Sequence, residues 1–502
     1  MLKKRNKGLY MRTNPHILEI NTRTWLNHLR QKYGAEITLI SIPEHEWLSL
    51  KRLGFDAVWL MGVWTPSPTA REIARQNEPI LQSIRNINPN FSQEDVDASP
   101  YAVYEYKLNP SLGRPDELGQ LHEKLNSMGL KLILDFVSNH LALDHALVSE
   151  CPDCFIHGTD EDAAHNPGVF FKGPDGKTWF AHGRDPNFAP WTDTVQINYF
   201  SDRARELVMQ MLLDVAKVCD GVRCDMAMLT LNDIHRETWG WLLNRQGFEE
   251  KEEFWQQAIN RVRDEDPLFT FLAEVYWGLE WHVQQLGFNY TYDKVLYDRL
   301  RGMSAQDVKG HLHAESLYQK RSLRFIDNHD EEASLVAFGP DKSIAAAIVM
   351  STLRGMRLYS QGQILGMNRR VPVQYLRNDY TGDAEVRRKY EQILKIADDS
   401  AFHGGEWALL ELSAAAHEDG SFRDMLAWGW TQMRTVKYVV VNYSPNPARA
   451  RLPIRPSPRG AEYTFYDELS DRFFTRSIEE VRNQGLYIEL PPYGAHLLDL
   501  EF

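Results

Sequence analysis

The sequence predicts an α/β protein: a (β/α)8 TIM barrel with a subdomain inserted after its third strand and an antiparallel β-sandwich domain at the C-terminal end. Short apolar, β-rich runs alternate with helix-like stretches over most of the chain, which favours a parallel sheet. A segment rich in Pro, Gly, Asp and His interrupts this alternation, and the final stretch has apolar runs separated only by turns. We therefore expect barrel residues at 1–140 and 193–400, an inserted subdomain B at 141–192 and a C-terminal β domain at 401–502.

Eight apolar runs are interpreted as the barrel strands. They lie at residues 17–20, 56–61, 130–136, 221–225, 269–274, 288–292, 323–327 and 356–360. Helical spacing of apolar residues precedes several of them, as in the stretch from Leu118 to Met128, which Gly129 ends as a C-terminal cap. An open doubly wound sheet is the alternative, but no Gly-rich phosphate-binding turn supports it.

Composition narrows the class of partner. The chain has 69 acidic and 56 basic residues, a formal net charge of −13, which disfavours nucleic acid and anionic membranes and suits a neutral substrate such as a sugar. No apolar run reaches the roughly 18 residues that a transmembrane helix needs. The N-terminus, M-L-K-K-R-N-K-G-L-Y, is basic but lacks an apolar core, so no signal peptide is expected.

The cysteine pattern predicts a reduced, cytoplasmic protein. Cys151 and Cys154 form a C-P-D-C pair, and Cys219 and Cys224 flank a predicted strand. No second C-x-x-C completes a zinc site, and four cysteines in a chain of this length are too few for a disulfide framework.

The most informative pattern is a carboxylate at or just beyond the end of each of four predicted strands: Asp135, Asp225, Glu274 and Asp330. One such residue would ordinarily be a hydrated loop residue. Two of the four strand ends also carry an Asn-His pair, however, and one carries an Arg two residues before its Asp. Because the C-terminal ends of barrel strands meet at one face, this set favours acid–base chemistry on a glycosidic oxygen.

At these residues the sequence resembles the α-amylase family, glycoside hydrolase family 13, over nearly its whole length. The resemblance rests on four motifs, which occur in the family's order: D-F-V-S-N-H at 135–140, G-V-R-C-D at 221–225, A-E-V at 273–275 and F-I-D-N-H-D at 325–330. S-P-Y-A-V-Y-E-Y at 99–106 is similar to a further family segment. No cofactor is required for the chemistry that the resemblance implies.

The resemblance implies a role for each residue. Asp225 would be the nucleophile and Glu274 the general acid and then base, with their carboxyls about 5–5.5 Å apart as in retaining enzymes. Asp330 would hold hydroxyls of the distorted ring. Arg223 would keep Asp225 ionised with a depressed pKa. The remaining substrate contacts would be Tyr101, Asp135, His140 and His329, with Tyr101 stacking beneath the sugar ring.

Two segments depart from the family pattern. Met228 and Leu229 stand where many amylases have Lys-His, so contact with an acceptor-side sugar is not expected there. Gln196 stands where the family usually has an Asp that ligates calcium in many amylases. Asn139 alone keeps the oxygen-ligand pattern, so Asn139 is the candidate metal ligand and a structural calcium is a doubtful expectation.

The functional prediction is a retaining glycoside hydrolase that cleaves α-glucosidic bonds of malto-oligosaccharides or small α-glucosides. A transglycosylase or a phosphorylase shares the first half-reaction and stays open, because acceptor-side loops decide between them. A non-catalytic sugar-binding protein on the same barrel is the alternative from another class, and the complete carboxylate set argues against it. The sequence leaves the oligomeric state open.

Overall fold

The computed structural model of the protein describes residues 11–246, 251–454 and 462–501. The basic N-terminal segment 1–10 and most of the turn predicted at 453–460 lie outside the described residues.

Eight parallel strands form a closed barrel, and this confirms the predicted fold class. The strands are β1 (His16–Asn21), β2 (Ala57–Met61), β3 (Lys131–Val137), β4 (Gly221–Asp225), β5 (Thr270–Ala273), β6 (Tyr290–Tyr292), β7 (Ser322–Arg324) and β8 (Met356–Ser360). They pair in chain order, and β1 closes the barrel against β8, with Ile17 opposite Leu358. Each of the eight predicted runs contains or overlaps one of these strands.

Helices cover the outside of the barrel and the connections. The longer ones are Thr22–Tyr33, Glu44–Arg52, Glu117–Ser127, Asp202–Ala216, Asn232–Gln246, Phe254–Glu265, Lys294–Gly302, Ala305–Leu312, Pro340–Thr352 and Ala384–Ala397. The shorter ones are Leu147–Glu150, Asp160–His165, Glu280–Gln285, Ser316–Lys320, Ser334–Ala337, Gln361–Ile364, Ser400–Gly404 and Ile478–Gln484. Gly129 follows Glu117–Ser127 with φ +76°, a conformation that glycine adopts without steric cost.

The segment after β3 contains its own small antiparallel sheet. Its strands are His157–Gly158, Phe170–Lys172 and Trp179–Ala181. Two further strands, His140–Ala142 and Thr194–Gln196, pair antiparallel where the segment leaves and rejoins the barrel. The segment is therefore fixed at its base by the residues that directly follow β3.

Within this segment the predicted cysteine state is wrong for one pair. The 3-10 turn Pro152–Cys154 brings the Cα atoms of Cys151 and Cys154 to 5.4 Å, within disulfide range, and the two are bonded. Cys219 and Cys224 are free thiols, as expected, and both are buried. A cytoplasmic location stays a prediction.

A second excursion, between β2 and β3, was not predicted. It contains the antiparallel pair Trp64–Pro66 and Val103–Leu108 and the helices Pro68–Gln76 and Glu78–Ile87. The helices bury only a small apolar cluster that includes Ala74, Leu81 and Ile84. This excursion brings Tyr101 toward the mouth of the barrel.

The C-terminal region forms two antiparallel sheets around a separate apolar core. The six-stranded sheet contains Glu406–Leu409, Met425–Gln432, Thr435–Asn442, Glu462–Asp467, Arg472–Ser477 and Ala495–Glu501; the three-stranded sheet contains Ser413–Ala414, Ala448–Leu452 and Leu486–Leu490. Within the described ranges, none of the helices has the length and hydropathy needed to cross a membrane.

Candidate active site

Arg223 lies at the centre of the barrel mouth, with a side chain that is 1% exposed. Its Nη1 donates to Asp225 Oδ1 at 2.8 Å and approaches Asp135 Oδ1 at 3.4 Å, while Nη2 donates to Glu274 Oε2 at 2.7 Å. β3, β4 and β5 thus deliver their carboxylates to one guanidinium. Its planar fork suits this geometry because it can bind two carboxylates at once.

Aromatic rings enclose the guanidinium. The centroids of Trp59 and Tyr101 lie 5.2 Å from its central carbon and that of Tyr292 lies 5.7 Å away. The Tyr292 hydroxyl also accepts a hydrogen bond from Arg223 Nε at 3.3 Å. These rings exclude water, which strengthens every charge interaction around Arg223.

Both oxygens of Glu274 have hydrogen-bond partners. The Met226 backbone N–H donates to Oε2 at 2.7 Å, and the Tyr276 hydroxyl donates to Oε1 at 2.8 Å. Met226 has φ +41°, a left-handed conformation that is uncommon for a residue with a side chain. The loop after β4 therefore adopts an unfavourable backbone conformation at the position where it contacts Glu274.

Burial raises the pKa of both Asp225 and Glu274, and Arg223 opposes that effect in each case. The expectation that the pKa of Asp225 is depressed is therefore wrong: loss of hydration outweighs the effect of the Arg223 cation. Burial also raises the pKa of Asp135 to about 7, and Arg223, which approaches its Oδ1 at 3.4 Å, only partly opposes this rise. A raised pKa suits Glu274 as a proton donor.

Asp330 lies at the outer edge of the mouth with a half-exposed side chain, 3.0 Å from His329 Nε2. The other imidazole nitrogen, Nδ1, bonds to Glu19 Oε1 on β1. Burial lowers the pKa of His329, but its two anionic partners outweigh this and raise the pKa well above its usual range. Partial loss of water raises the pKa of Asp330, yet the His329 imidazolium outweighs it and brings the value to about 2.

Tyr101 connects the two parts of the site. Its hydroxyl lies 2.7 Å from His329 Nε2, and the two rings stack at 5.4 Å. Its ring also faces Arg223. His140 packs against Trp191 at 5.1 Å, and burial lowers its pKa to about 4, so it is neutral. Every predicted catalytic and sugar-contact residue therefore belongs to one contiguous cluster or directly adjoins it.

Comparison with known proteins identifies the family. Residues 48–415 match the model of the α-amylase catalytic domain. The chain belongs to the α-amylase family. That span includes all four motif segments described above.

Two curated relatives in the family are similar at low identity. Alpha-amylase 3 of Dictyoglomus thermophilum is 22% identical over 328 residues, covering 61% of this chain and 60% of that protein. Alpha-amylase MalA of Haloarcula japonica is 22% identical over 415 residues, covering 80% of this chain and 52% of that protein. The chain thus spans little more than half the length of these relatives.

Solved structures show the same fold over the whole chain. A maltogenic α-amylase, AmyB, of Thermotoga neapolitana has a TM-score of 0.68 at 18% identity, covering 97% of this chain and 98% of that one. The α-amylase of Geobacillus thermoleovorans in complex with acarbose has a TM-score of 0.67 at 16% identity, covering 98% of this chain and all of that one.

The calcium site of the family does not fit the residues present here. Asn139 Oδ1 accepts a hydrogen bond from Gln196 Nε2 at 3.0 Å, so an amide nitrogen faces the oxygen that would bind the ion. Among the described residues, no group of three or more His, Cys, Asp or Glu side chains is placed to hold a metal. Calcium takes six to eight oxygens and favours carboxylates, which this donor set lacks. Met228 and Leu229 form the second segment that departs from the family pattern, and both side chains are buried in the loop after β4.

Sequence reasoning missed several contributors to the site, among them the rings of Trp59 and Tyr292 beside Arg223. Glu19 lies within β1, and the signal that could have found it is a single carboxylate in the otherwise apolar run at 17–20. Tyr276 and the Met226 N–H gave no signal, because nothing in the residue types shows that a hydroxyl or a backbone donor reaches Glu274.

Proposed function

We propose that this protein is a retaining glycoside hydrolase that cleaves α-glucosidic bonds of malto-oligosaccharides or small α-glucosides through a covalent glycosyl-enzyme intermediate. One observation carries the proposal: a single buried guanidinium bridges Asp225 and Glu274, and Asp330 is linked to the same cluster through His329 and Tyr101. Membership of the α-amylase family supports the assignment of roles.

In the first half-reaction, an Asp225 carboxylate oxygen attacks the anomeric carbon and the bond to the leaving oxygen breaks with its electron pair. Glu274 transfers its proton to that oxygen. The positive charge that develops on the ring is stabilised by Asp225 and Asp330, and Asp330 is kept ionised by His329.

In the second half-reaction, Glu274 is a carboxylate and removes a proton from water. The water oxygen attacks the anomeric carbon from the face that the leaving group vacated, which releases Asp225 and restores the original configuration. Between the two steps, Arg223, the Met226 N–H and the Tyr276 hydroxyl stabilise the Glu274 anion, since all three donate to its oxygens.

A hollow beside His329 supports an oligosaccharide substrate. It is lined by residues in the last part of β1 and β8 and in the segments after β1, β7 and β8, including Asn21, Thr24, Arg370 and Tyr380. Glu274 marks the leaving-group side at the end of β5, which lies across the barrel from β1. The hollow therefore lies on the side of the retained sugar and offers polar groups to a second glucosyl unit. The acarbose complex of the Geobacillus thermoleovorans α-amylase supports an α-glucan-type ligand.

The test is incubation with maltotriose, sucrose, trehalose and aryl α-glucosides, with and without phosphate, followed by product analysis. We expect the release of reducing sugar. Proton NMR should show the α-anomer as the first product formed. A first-formed β-anomer would overturn retention. Longer oligosaccharides would indicate transfer, a sugar phosphate would indicate phosphorolysis, and no turnover would favour a binding protein.

The hollow beside His329 allows a second test, which compares two substrates of different length. An aryl α-maltoside should have a higher kcat/KM than the matching aryl α-glucoside, because only the maltoside reaches the polar groups beside His329. Equal values for the two compounds would contradict an oligosaccharide substrate without affecting the assignment of the carboxylates.

A further inference from the structure

The inserted segment is joined to the barrel at one pair of short strands. Thr194–Gln196 runs antiparallel to His140–Ala142, with Gln196 opposite His140. Gln196 is completely buried, and the residue before His140 is Asn139, at the end of the loop after β3. A fully buried amide needs partners for two N–H groups and one oxygen.

Three oxygens surround the amide nitrogen of Gln196. Nε2 lies 2.9 Å from the Asn139 carbonyl oxygen, 3.0 Å from Asn139 Oδ1 and 3.1 Å from the Ile197 carbonyl oxygen. The amide oxygen faces donors instead, with Asn139 Nδ2 at 3.3 Å and the Arg184 N–H at 3.4 Å. Acceptors on one side and donors on the other fix the orientation of the amide, since the flipped amide would meet like groups on both sides.

We propose that the Gln196 amide takes the place of a divalent cation at this junction, so that the inserted segment is attached to the barrel without metal. The two N–H groups of Gln196 Nε2 donate to oxygens that face inward, and such oxygens could otherwise serve as ligands of a cation. All three oxygens belong to neutral amide groups, and the Asn139 carbonyl also accepts the Ile197 N–H at 3.2 Å. A divalent ion here would gain no carboxylate ligand and would have to displace a hydrogen-bonded amide.

This junction also positions the site. His140 directly follows Asn139, and its side chain is held between this strand pair and Trp191. A side-chain carbon at Gly183 would come within 2.9 Å of His140 Cβ, so the backbone of the inserted segment approaches His140 as closely as glycine allows. Gln196 is thus a positioning residue, acting through Asn139 and His140, and this role does not depend on the proposed function.

The test compares thermal unfolding in excess EDTA and in millimolar calcium chloride. The unmodified protein should unfold at the same temperature in both. Q196E keeps the size of the side chain but turns an oxygen toward the three oxygens, so it should unfold several degrees lower in EDTA and recover in calcium. Q363E is the matched control. Gln363 is also buried, but its Nε2 donates to the Tyr390 hydroxyl, and among the described residues it has no carbonyl acceptor, so calcium should not reverse any loss of stability in Q363E.

Each outcome decides. A fall in the unfolding temperature of the unmodified protein in EDTA, reversed by calcium, would overturn the proposal. So would a Q196E protein as stable as the unmodified one in EDTA, or one that calcium does not restore. If Q196E does not accumulate as folded protein, the EDTA comparison on the unmodified chain still decides. Because the readout is unfolding, the result is independent of whether the protein hydrolyses α-glucosides.

Discussion

Two buried cations in this protein each contact three carboxylates, in different surroundings. Arg223 at the barrel mouth meets Asp135, Asp225 and Glu274, whose side chains are 3%, 9% and 6% exposed. Lys437 in the C-terminal sheet meets three carboxylates that are 36%, 19% and 33% exposed, those of Asp399, Glu468 and Asp499.

The two clusters differ because the carboxylates around Lys437 are more exposed to water than those around Arg223. The Lys437 carboxylates keep much of their hydration, and the cluster ties Asp399, which caps the helix Ser400–Gly404, to the six-stranded sheet. At the mouth, aromatic rings replace water and the pKa values of Asp225 and Glu274 rise. Burial raises the pKa of Glu468 beside Lys437 as well. Neither a buried cation among carboxylates nor a raised carboxyl pKa is therefore by itself a sign of catalysis; at Arg223 both occur together with nearly complete burial of all three carboxylates.

The largest expected effect comes from Asp225, the proposed nucleophile. Asp225→Asn should lower kcat on an α-glucoside by roughly 10⁴-fold or more, because no covalent intermediate can form. The matched change at the other cluster, Asp499→Asn, removes a carboxylate from Lys437 and should leave kcat within a factor of about two, as expected for a distant surface change. Steady-state kinetics on both variants makes the comparison, and a comparable loss in Asp499→Asn would break it.

A change at Glu274, the proposed general acid, should have an effect that depends on the leaving group of the substrate. Glu274→Gln should lower turnover of maltotriose by about 10²–10⁴-fold, since proton transfer to the leaving oxygen is lost. Formation of the glycosyl-enzyme from an activated aryl α-glucoside should be far less impaired, as measured by the burst of released phenol. Glu468→Gln is the matched control beside Lys437. If Glu274→Gln slowed the burst as much as the turnover of maltotriose, Glu274 would not be the acid.

A pH profile sharpens the account of Glu274. The Tyr276 hydroxyl donates to Oε1, which favours the carboxylate and opposes the rise that burial causes in the pKa of Glu274. Removing it in Tyr276→Phe should raise that pKa further, by up to about one unit. Because the protonated acid is active, the alkaline limb of kcat/KM should move to higher pH. Tyr466→Phe, at a tyrosine near Glu468, should leave the profile unchanged.

The smallest effect concerns His329. Glu19 and Asp330 both raise the pKa of its imidazolium, so Glu19→Gln should lower it by roughly one to two units. The stabilisation that the His329 imidazolium gains from its anionic partners is present at low pH. It is lost as the pH rises through the pKa of His329 in the folded protein, so in Glu19→Gln it should be lost at a lower pH. NMR titration of labelled histidine measures this, with the other histidines as internal references. An unchanged pKa of His329 in Glu19→Gln would show that Glu19 does not act on this imidazole.

Much of the fold could be predicted because its signals are local. Apolar β-rich runs and helical spacing identified all eight barrel strands, even though β6 is only three residues long. The excursion between β2 and β3 escaped prediction, because its helices bury few apolar residues and so give a weak pattern. The bonded state of Cys151 and Cys154 likewise depended on a turn whose geometry the residue types do not fix.

By itself, the sequence determined which carboxylates end the barrel strands, because strand order and strand ends follow from periodicity along the chain. Only the tertiary structure decided the burial, the hydrogen-bond partners and hence the pKa values of those carboxylates. Dehydration by Trp59, Tyr101 and Tyr292 comes from three separate regions of the chain, as do the contacts of Tyr276 and Glu19. The amide of Gln196 among three oxygens was decided in the same way, since burial and hydrogen-bond geometry are properties of the packed chain and not of any segment within it.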